Sequence, residues 1–352
     1  MATITKTIGT DSRDYSTMLL WEADLDDDSV YDAGDDAVGA CYNDSAFDME
    51  GTYLYIDSGG SVGGGGALGS VKLTAPEGQR HDGTAGTGVR IVSTSAHNRV
   101  YMRPQVTDVG YVTVEWLECN NNGRDTISFN SSGASNSIAC LRNCIIHNGM
   151  RSLLQAVSKD VLAMNNLFYG GGAEDNGTVS GVDIDLEKAG CGFINNTVYG
   201  ITTTADSIAR GMRLRVNDAD SVIKNNIIMD TDSAGGTVDE YDFGWPGTTT
   251  NITPLNCMSS DGTADDAGGS NNLVDKTGSN QFVSTTEGSE DLHLKEGADA
   301  IDAGVDLGTS PDGVNIDIDG RDRDSEGDTW DIGADEFVED VAGGASFLMF
   351  VD

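Results

Sequence analysis

Two stretches of alternating polar and apolar residues carry opposite charges at matching positions. Asp183 and Asp185 alternate with apolar residues, and about 30 residues later Arg213 and Arg215 do the same. Strict alternation is typical of a strand with one buried face, so the four charged side chains should share a solvent-facing surface. Strands paired in register would set each aspartate beside an arginine, in ion pairs worth about 0.2–1 kcal/mol each.

The same four residues could instead hold a ligand. One alternative is a sugar-binding groove, and another is a lyase site in which arginine is the base and aspartate binds calcium. Further clustered carboxylates typical of β-helix lyases and hydrolases are not found in the sequence. We therefore expect solvated ion pairs, and we take Asp183, Asp185, Arg213 and Arg215 as a candidate binding site without a catalytic role.

A second candidate is the acidic stretch between Asp317 and Asp328. Carboxylates at alternate positions beside a glycine turn are the hard oxygen ligands that Ca²⁺ prefers. The spacing matches the first half of an EF-hand loop, but Gly333 stands where the closing glutamate should be. We expect a structural calcium site or, alternatively, an acidic capping loop held by nearby arginines. The candidate ligands are Asp317, Asp319, Asp322, Asp324 and Asp328.

Other catalytic signatures are missing from the sequence. The four histidines lie far apart, and neither an HExxH nor a CxxC phrase occurs. The six cysteines are scattered and are expected to be buried apolar thiols. We therefore assign no catalytic residue, and the sequence favours a function other than that of an enzyme.

The overall charge excludes some partners. The chain of 352 residues has 58 acidic and 20 basic side chains, a net charge of −38. Nucleic acid is a poor partner, because phosphate binding needs clustered lysine and arginine. No apolar run approaches the ~20 residues of a membrane span. The N-terminal residues show no basic segment before an apolar run, which predicts synthesis in a cytoplasm without a secretion signal.

Repeats of about 30 residues must position these side chains. A phrase that begins with asparagine recurs, and each repeat has room for short strands but not for a helix. This pattern predicts one coil of a β-helix per repeat. Stacked coils would align the asparagines in an amide ladder, each side chain bonding the next, in the left-handed conformation that asparagine tolerates. The predicted ladder is Asn143, Asn165, Asn195 and Asn225.

The pattern divides the chain into four regions. Residues 1–50 are an N-terminal strand and an amphipathic capping helix with Asp14 as N-cap, and residues 51–286 are the coils, with one degenerate coil near residues 249–258. Residues 287–338 form a closing coil and the acidic loop. Residues 339–352 are an apolar tail after a Gly-Gly hinge.

The tail is predicted to be a docking strand for another subunit, because five consecutive apolar residues left exposed would promote aggregation. The alternative is that it folds back on its own C-terminal coil. Its apolar residues are Phe347, Leu348, Met349, Phe350 and Val351.

The recurring Asn-Asn phrase resembles that of right-handed parallel β-helix repeat proteins, which share the pectate-lyase-like fold. The residues at 291–304 and 330–337 are similar to the closing coil of many such proteins, and the resemblance covers roughly residues 90–337. Residues 1–17 look like the lead-in of β-helix proteins from phage and metagenomic sequences. The resemblance implies an all-β, right-handed parallel β-helix solenoid with a short N-terminal capping helix. It implies no single activity, since lyases, glycosidases, tailspikes and adhesins share this fold.

Three functions fit these observations. The favoured one is a structural or binding component of a virion, such as a capsid decoration, fibre or tailspike-like appendage, which contacts glycans, other subunits or its own copies as a homo-oligomer. A polysaccharide lyase or glycoside hydrolase fits the fold but lacks the motifs. An exported cell-surface or filament protein, located outside the cell, is the third.

Overall fold

The chain forms a parallel β-solenoid built from three sheets. The predicted all-β parallel β-helix with a short N-terminal helix is thereby confirmed. Among the helices in the described part of the chain, none is long and apolar enough to cross a membrane. The computed structural model describes residues 1–49, 53–57, 68–93, 100–103, 112–121, 125–129, 138–156, 160–172, 178–186, 189–203, 208–216, 220–233, 240–245, 253–326 and 329–339.

Each coil gives one strand to each sheet in turn, and neighbouring coils pair in parallel. The first sheet contains β1 (Thr3–Ile8), β2 (Asp36–Cys41), β5 (Ser70–Thr74), β8 (Val112–Glu115), β11 (Ala139–Arg142), β14 (Val161–Met164), β17 (Gly192–Ile194) and β21 (Val222–Lys224). The second contains β3 (Phe47–Asp48), β6 (Arg90–Ser93), β9 (Glu118–Asn121), β12 (Ile145–His147), β15 (Leu167–Tyr169), β18 (Thr197–Tyr199), β22 (Ile227–Met229) and β25 (Met258–Ser259).

The third sheet completes each coil, and a few short elements lie outside the three sheets. The third sheet contains β4 (Leu54–Asp57), β7 (Val100–Arg103), β10 (Asp125–Phe129), β13 (Ser152–Ala156), β16 (Val179–Leu186), β20 (Ala209–Val216) and β24 (Glu240–Gly244). The other elements are α1 (Met18–Ala23), α2 (Gly278–Gln281), α3 (Arg323–Glu326), the 3₁₀ turns Asp24–Asp26 and Thr263–Asp265, the parallel pair β19 (Thr202–Thr203) and β23 (Asp232–Ser233), and the antiparallel hairpin β26 (Phe282–Thr286) and β27 (Ser289–Leu294).

The inside of the coils is one continuous apolar core. Val182 and Ile184 on β16 and Met212 and Leu214 on β20 are fully buried, as their alternation with charged residues predicts. All six cysteines are buried and none forms a disulfide, as expected for apolar thiols.

Helix α1 packs against the first coil. The expected N-cap, Asp14, is wrong: its carboxylate accepts from the backbone N–H of Thr7 at 2.7 Å, and the cap is Thr17, whose side chain accepts from the N–H of Leu20. Trp21 of the helix is fully buried against Gly39 of β2, where a Cβ would lie 2.8 Å from the indole ring. Because glycine has no side chain, helix α1 can pack closely on β2 and cover the end of the core.

The bend between the first and second sheets has an asparagine in the left-handed conformation, coil after coil. Asn143, Asn165, Asn195 and Asn225 have φ between 50° and 57°, as expected for this residue type. Asn256, with φ 52°, continues the row and confirms the predicted degenerate coil.

The continuous amide ladder is formed by different asparagines from those predicted. Of the asparagines at positive φ, Asn195 donates to Asn165 at 3.0 Å, but Asn225 donates to the backbone of Val305. The continuous ladder runs through the second asparagine of each phrase. Their side chains are buried, and their amides also donate to backbone carbonyls of the neighbouring coil, as Asn166 does to Leu141 and Asn226 to Phe193. These residues are Asn166, Asn196 and Asn226, all fully buried.

Residues 295–337, called here the C-terminal strap, replace the expected closing coil. The strap lies along the outside of the bend, because the left-handed asparagines turn their amides outward to its backbone. Asn256 donates to the carbonyl of Ala303 at 2.7 Å, and Asn143, several coils earlier, donates to that of Asp317 at 2.6 Å.

The strap covers two of the three sheets. Its Ile318 and Ile332 pack with Ile145 and Ile227 on the outer face of the second sheet. Its Trp330 and Val314 pack with Leu162 and Met164 on the first sheet. The outer face of the third sheet is where Asp183 and Arg213 lie, partly accessible to solvent.

Candidate functional site

A groove of about 470 Å³ runs across β13, β16 and β20 on the outer face of the third sheet. Four arginines, one aspartate and four neutral polar side chains line it. The lining residues are Arg151, Ser152, Gln155, Thr178, Ser180, Asp183, Arg210, Arg213 and Arg215.

Strand register aligns these side chains. Gln155 is paired with Asp183, which is paired with Arg213 on the next coil. Ser180 is paired with Arg210 in the same way. Because stacked coils are one strand spacing apart, polar groups at equivalent positions form continuous rows along the solenoid axis.

A glycine pair changes which side chains face the groove. Gly181 and Gly211 stack on each other, and the register of β16 and β20 skips them. A Cβ on Gly181 would lie 2.7 Å from the carbonyl oxygen of Gly211, so no side chain fits there. The alternation shifts by one residue at this point, and Arg210 and Arg213 both line the groove although they are three positions apart.

The expected cross-strand ion pairs are present. Arg213 pairs with Asp183, and Arg215 donates to Asp185 at 2.7 Å. Arg151 lies 3.9 Å from Asp125. Among the lining residues, four arginines and one aspartate leave three net positive charges, 4 − 1 = 3, on a chain whose net charge is −38.

Among the described residues, the predicted calcium ligands Asp317, Asp319, Asp322 and Asp324 do not form a group with converging ligand atoms. Asp317 is fully buried, and its carboxylate accepts from the backbone N–H groups of Asp319 and Arg321. Asp322 accepts from Asn315, and Asp324 accepts from the indole of Trp330. Backbone and side-chain donors within the strap therefore occupy these carboxylates. Asp328 lies outside the described residues.

Asp319 instead lies beside two residues that the sequence did not point to. Its Oδ1 is 2.8 Å from Nε2 of His293 on β27, and Asp335 is close to both. They line a cleft of about 450 Å³ between the hairpin and the strap. Burial lowers the pKa of His293, but its hydrogen bond to Asp319 and the charge of Asp335 together raise it to about 10.

The end of the strap gathers further buried acids around a buried arginine. Arg323 has no exposed surface; it pairs with Glu336 at 2.8 Å and donates to the carbonyls of Gly333 and Ala334. Burial raises the pKa of Glu336 to about 7 and the pKa of Asp331 to about 6. These acids hold the final turn of the strap together.

The predicted docking residues Phe347, Leu348, Met349, Phe350 and Val351 lie outside the described residues. The groove residues Arg151 and Arg210 were not predicted from the sequence. The signal that could have found Arg210 is the matching pair of phrases Ser180-Gly181 and Arg210-Gly211, 30 residues apart, in which a glycine interrupts the alternation.

No family model, curated protein or solved structure matches this chain.

Proposed function

We propose that this chain is a structural binding protein of the kind that virions display as capsid decorations, fibres or tailspike-like appendages, and that its arginine groove binds an anionic glycan. The observation that carries the proposal is the groove itself: four arginines share one concave surface of a protein that carries a large negative charge.

The groove's chemistry suits the carboxylates or sulfates of an acidic sugar. Guanidinium groups bind such anions through two parallel hydrogen bonds, and each charge-assisted bond is worth roughly 1.5–3 kcal/mol. The hydroxyls of Ser180 and Thr178 and the amide of Gln155 are suitable partners for sugar hydroxyls. A volume of about 470 Å³ falls within the range of pockets that hold small ligands.

The groove favours binding over hydrolysis. Most glycoside hydrolases need two carboxyl groups, one on each side of the scissile bond. Among the described lining residues Asp183 is the one carboxylate, and Arg213 already pairs with it. A long surface of stacked coils with polar rows along its axis suits attachment to an extended chain.

The virion setting rests on two further features. The N-terminal residues resemble those of phage-associated β-helix proteins, and the fold is that of many tailspikes and adhesins. A very acidic surface keeps such an appendage soluble and free of non-specific contacts.

Calorimetric titration with a uronic acid oligosaccharide tests the groove. The wild type should bind it, while the carboxyl-reduced neutral form of the same oligosaccharide should bind at least about 10-fold more weakly. Arg210→Gln and Arg151→Gln should each weaken binding about 10- to 100-fold, because each removes a charge-assisted bond. Added salt should also weaken binding.

Arg13→Gln is the matched control. Arg13 pairs with Asp44 on the surface at 2.9 Å, far from the groove, and its loss should leave the affinity unchanged. Equal affinity for the charged and neutral oligosaccharides, or equal affinity of the Arg210 variant and wild type, would refute the proposal. Release of new reducing or unsaturated sugar ends would show an enzyme instead.

A further inference from the structure

The cleft between the hairpin and the strap has the features of a metal site. Among the described residues, His293, Asp319 and Asp335 form the one group whose ligand atoms all lie within 4.8 Å of one another. They come from separate parts of the chain. His293 lies on β27, whereas Asp319 and Asp335 lie at two points of the strap that are 16 residues apart. The cleft that they line reaches the surface, so an ion has a path of entry.

A buried oxygen of Asp335 lacks a partner. Asp335 is 4 % exposed, and its Oδ2 accepts from the backbone N–H of Leu294 at 2.7 Å. Its Oδ1 is fully buried and has no hydrogen-bond partner. A buried carboxylate oxygen normally finds a donor or a cation, because losing water without compensation is costly. This atom therefore points to a cation.

Gly83 lies in close contact with two of these residues. It lies in a loop of an early coil with φ +80°, and a Cβ there would overlap both Nε2 of His293 and Oδ1 of Asp319. A side chain at position 83 would therefore collide with this cluster, and glycine lets the loop pack directly against His293 and Asp319.

The surroundings of His293 match those of a metal-binding histidine. Its Nδ1 lies 2.6 Å from a carboxylate oxygen of Asp291, which orients the ring and directs Nε2 toward Asp319. Metal-binding histidines commonly bond a carboxylate through the second ring nitrogen. One imidazole nitrogen and two carboxylates suit a borderline ion such as Zn²⁺ better than Ca²⁺, which takes oxygen ligands.

We infer that His293, Asp319 and Asp335 bind a divalent transition-metal ion of the Zn²⁺ class, which joins the C-terminal strap to the β26–β27 hairpin beside the loop of Gly83. Three protein ligands leave a coordination position for water from the open cleft. The ion's role is structural, because it links elements that are distant in sequence, and the inference is independent of the arginine groove.

Titration of the metal-free full chain with Zn²⁺ tests the inference. Calorimetry should show one ion per chain, and Zn²⁺ should raise the midpoint of thermal unfolding. Asp335→Asn and Asp319→Asn keep the shape of the side chain and should each weaken Zn²⁺ binding by about 100-fold or more, since one of three ligands is lost. Co²⁺ bound to the wild type should give visible absorption bands that His293→Gln abolishes.

Asp306→Asn is the control. Asp306 is a strap carboxylate outside the cluster that accepts from the N–H of Gly308, so this variant should bind Zn²⁺ like the wild type. Circular dichroism confirms that each variant is folded.

Three results would overturn the inference. The first is the absence of Zn²⁺ binding, in which case the imidazole of His293 holds the carboxylates of Asp319 and Asp335 together without an ion. The second is binding of Ca²⁺ but not Zn²⁺. The third is equal Zn²⁺ binding by the wild type and the Asp335 variant.

Discussion

The side-chain amide of Asn166 donates to the side chain of Asn196, one coil further along, at 2.9 Å. Asn196 in turn donates to Asn226 and to the backbone carbonyls of Ala163 and Ile194. All three asparagines are fully buried. The core of the solenoid thus contains a row of polar groups that satisfy one another only because the coils repeat in register.

Asn196→Ala should destabilise the solenoid by about 2–4 kcal/mol, because the amide donors of Asn166 and the carbonyl of Ala163 lose buried partners. Urea unfolding followed by circular dichroism measures the change. Asn43→Ala, at an exposed turn, should cost less than about 0.5 kcal/mol. Equal effects of the two substitutions would show that the ladder adds no stability.

Arg323→Met should cost about 3–5 kcal/mol, because it leaves Glu336 buried without its cation and removes donors from the carbonyls of the last strap turn. Arg323→Lys should recover only part of this loss, since one ammonium cannot replace the several donors of the guanidinium. Chemical unfolding and limited proteolysis of the strap check both variants. Arg13→Met, at a surface pair, is the comparison and should cost less than about 1 kcal/mol. A wild-type-like Arg323→Met variant would contradict the prediction.

Asp242 on β24 should make the protein less stable as pH rises from about 4 to 6. Burial and the charge of Asp261 raise the pKa of Asp242 from 3.8 to about 6 in the folded chain. In that window the folded state keeps a proton that the unfolded state has lost, so the unfolding free energy falls as pH increases. Two pKa units correspond to roughly 3 kcal/mol.

Asp242→Asn isolates this effect, because it removes the titrating group and leaves the others in place. The stability of the wild type relative to the variant should decrease between pH 4 and pH 6 and stay constant above pH 7. Urea unfolding at each pH gives this difference. A difference that increases with pH would mean that the pKa is lowered instead.

Deletion of residues 345–352 should leave the solenoid folded by circular dichroism but abolish self-association or particle attachment. The five apolar residues of the tail could bury several hundred Å², worth several kcal/mol before ordering costs. Light scattering of the full and truncated chains tests this prediction, which rests on the sequence. Identical assembly of the two chains would show that the tail is not a docking strand.

The coils and their register could be predicted because their signals are local and repeat. Equal spacing of about 30 residues sets Asp183 beside Arg213, and alternation separates the buried from the exposed side chains. The strap could not be predicted, because its contacts with the coils do not recur at a regular spacing. One such contact joins Asn143 to Asp317, 174 residues away.

The two candidate sites were predicted to different extents for the same reason. Two arginines of the groove follow from alternation, but Arg210 enters it only through the shift at Gly211. At the strap, a loop motif suggested that neighbours such as Asp322 and Asp324 bind one ion together. Their carboxylates instead accept hydrogen bonds from Asn315 and Trp330. The residue that does lie beside Asp319 is His293, 26 positions earlier in the chain.

The strap also restricts how this protein can change its length over evolution. A simple solenoid can gain or lose a coil by duplication or deletion, since each coil contacts only its neighbours. Here the strap is attached at fixed points, from Asn256 through Asn225 and Asn195 to Asn143. One added coil would move every later anchor by a strand spacing of about 4.8 Å while the strap stayed the same length. A change in the number of coils between Asn143 and Asn256 therefore requires a compensating change in the length of residues 303–317.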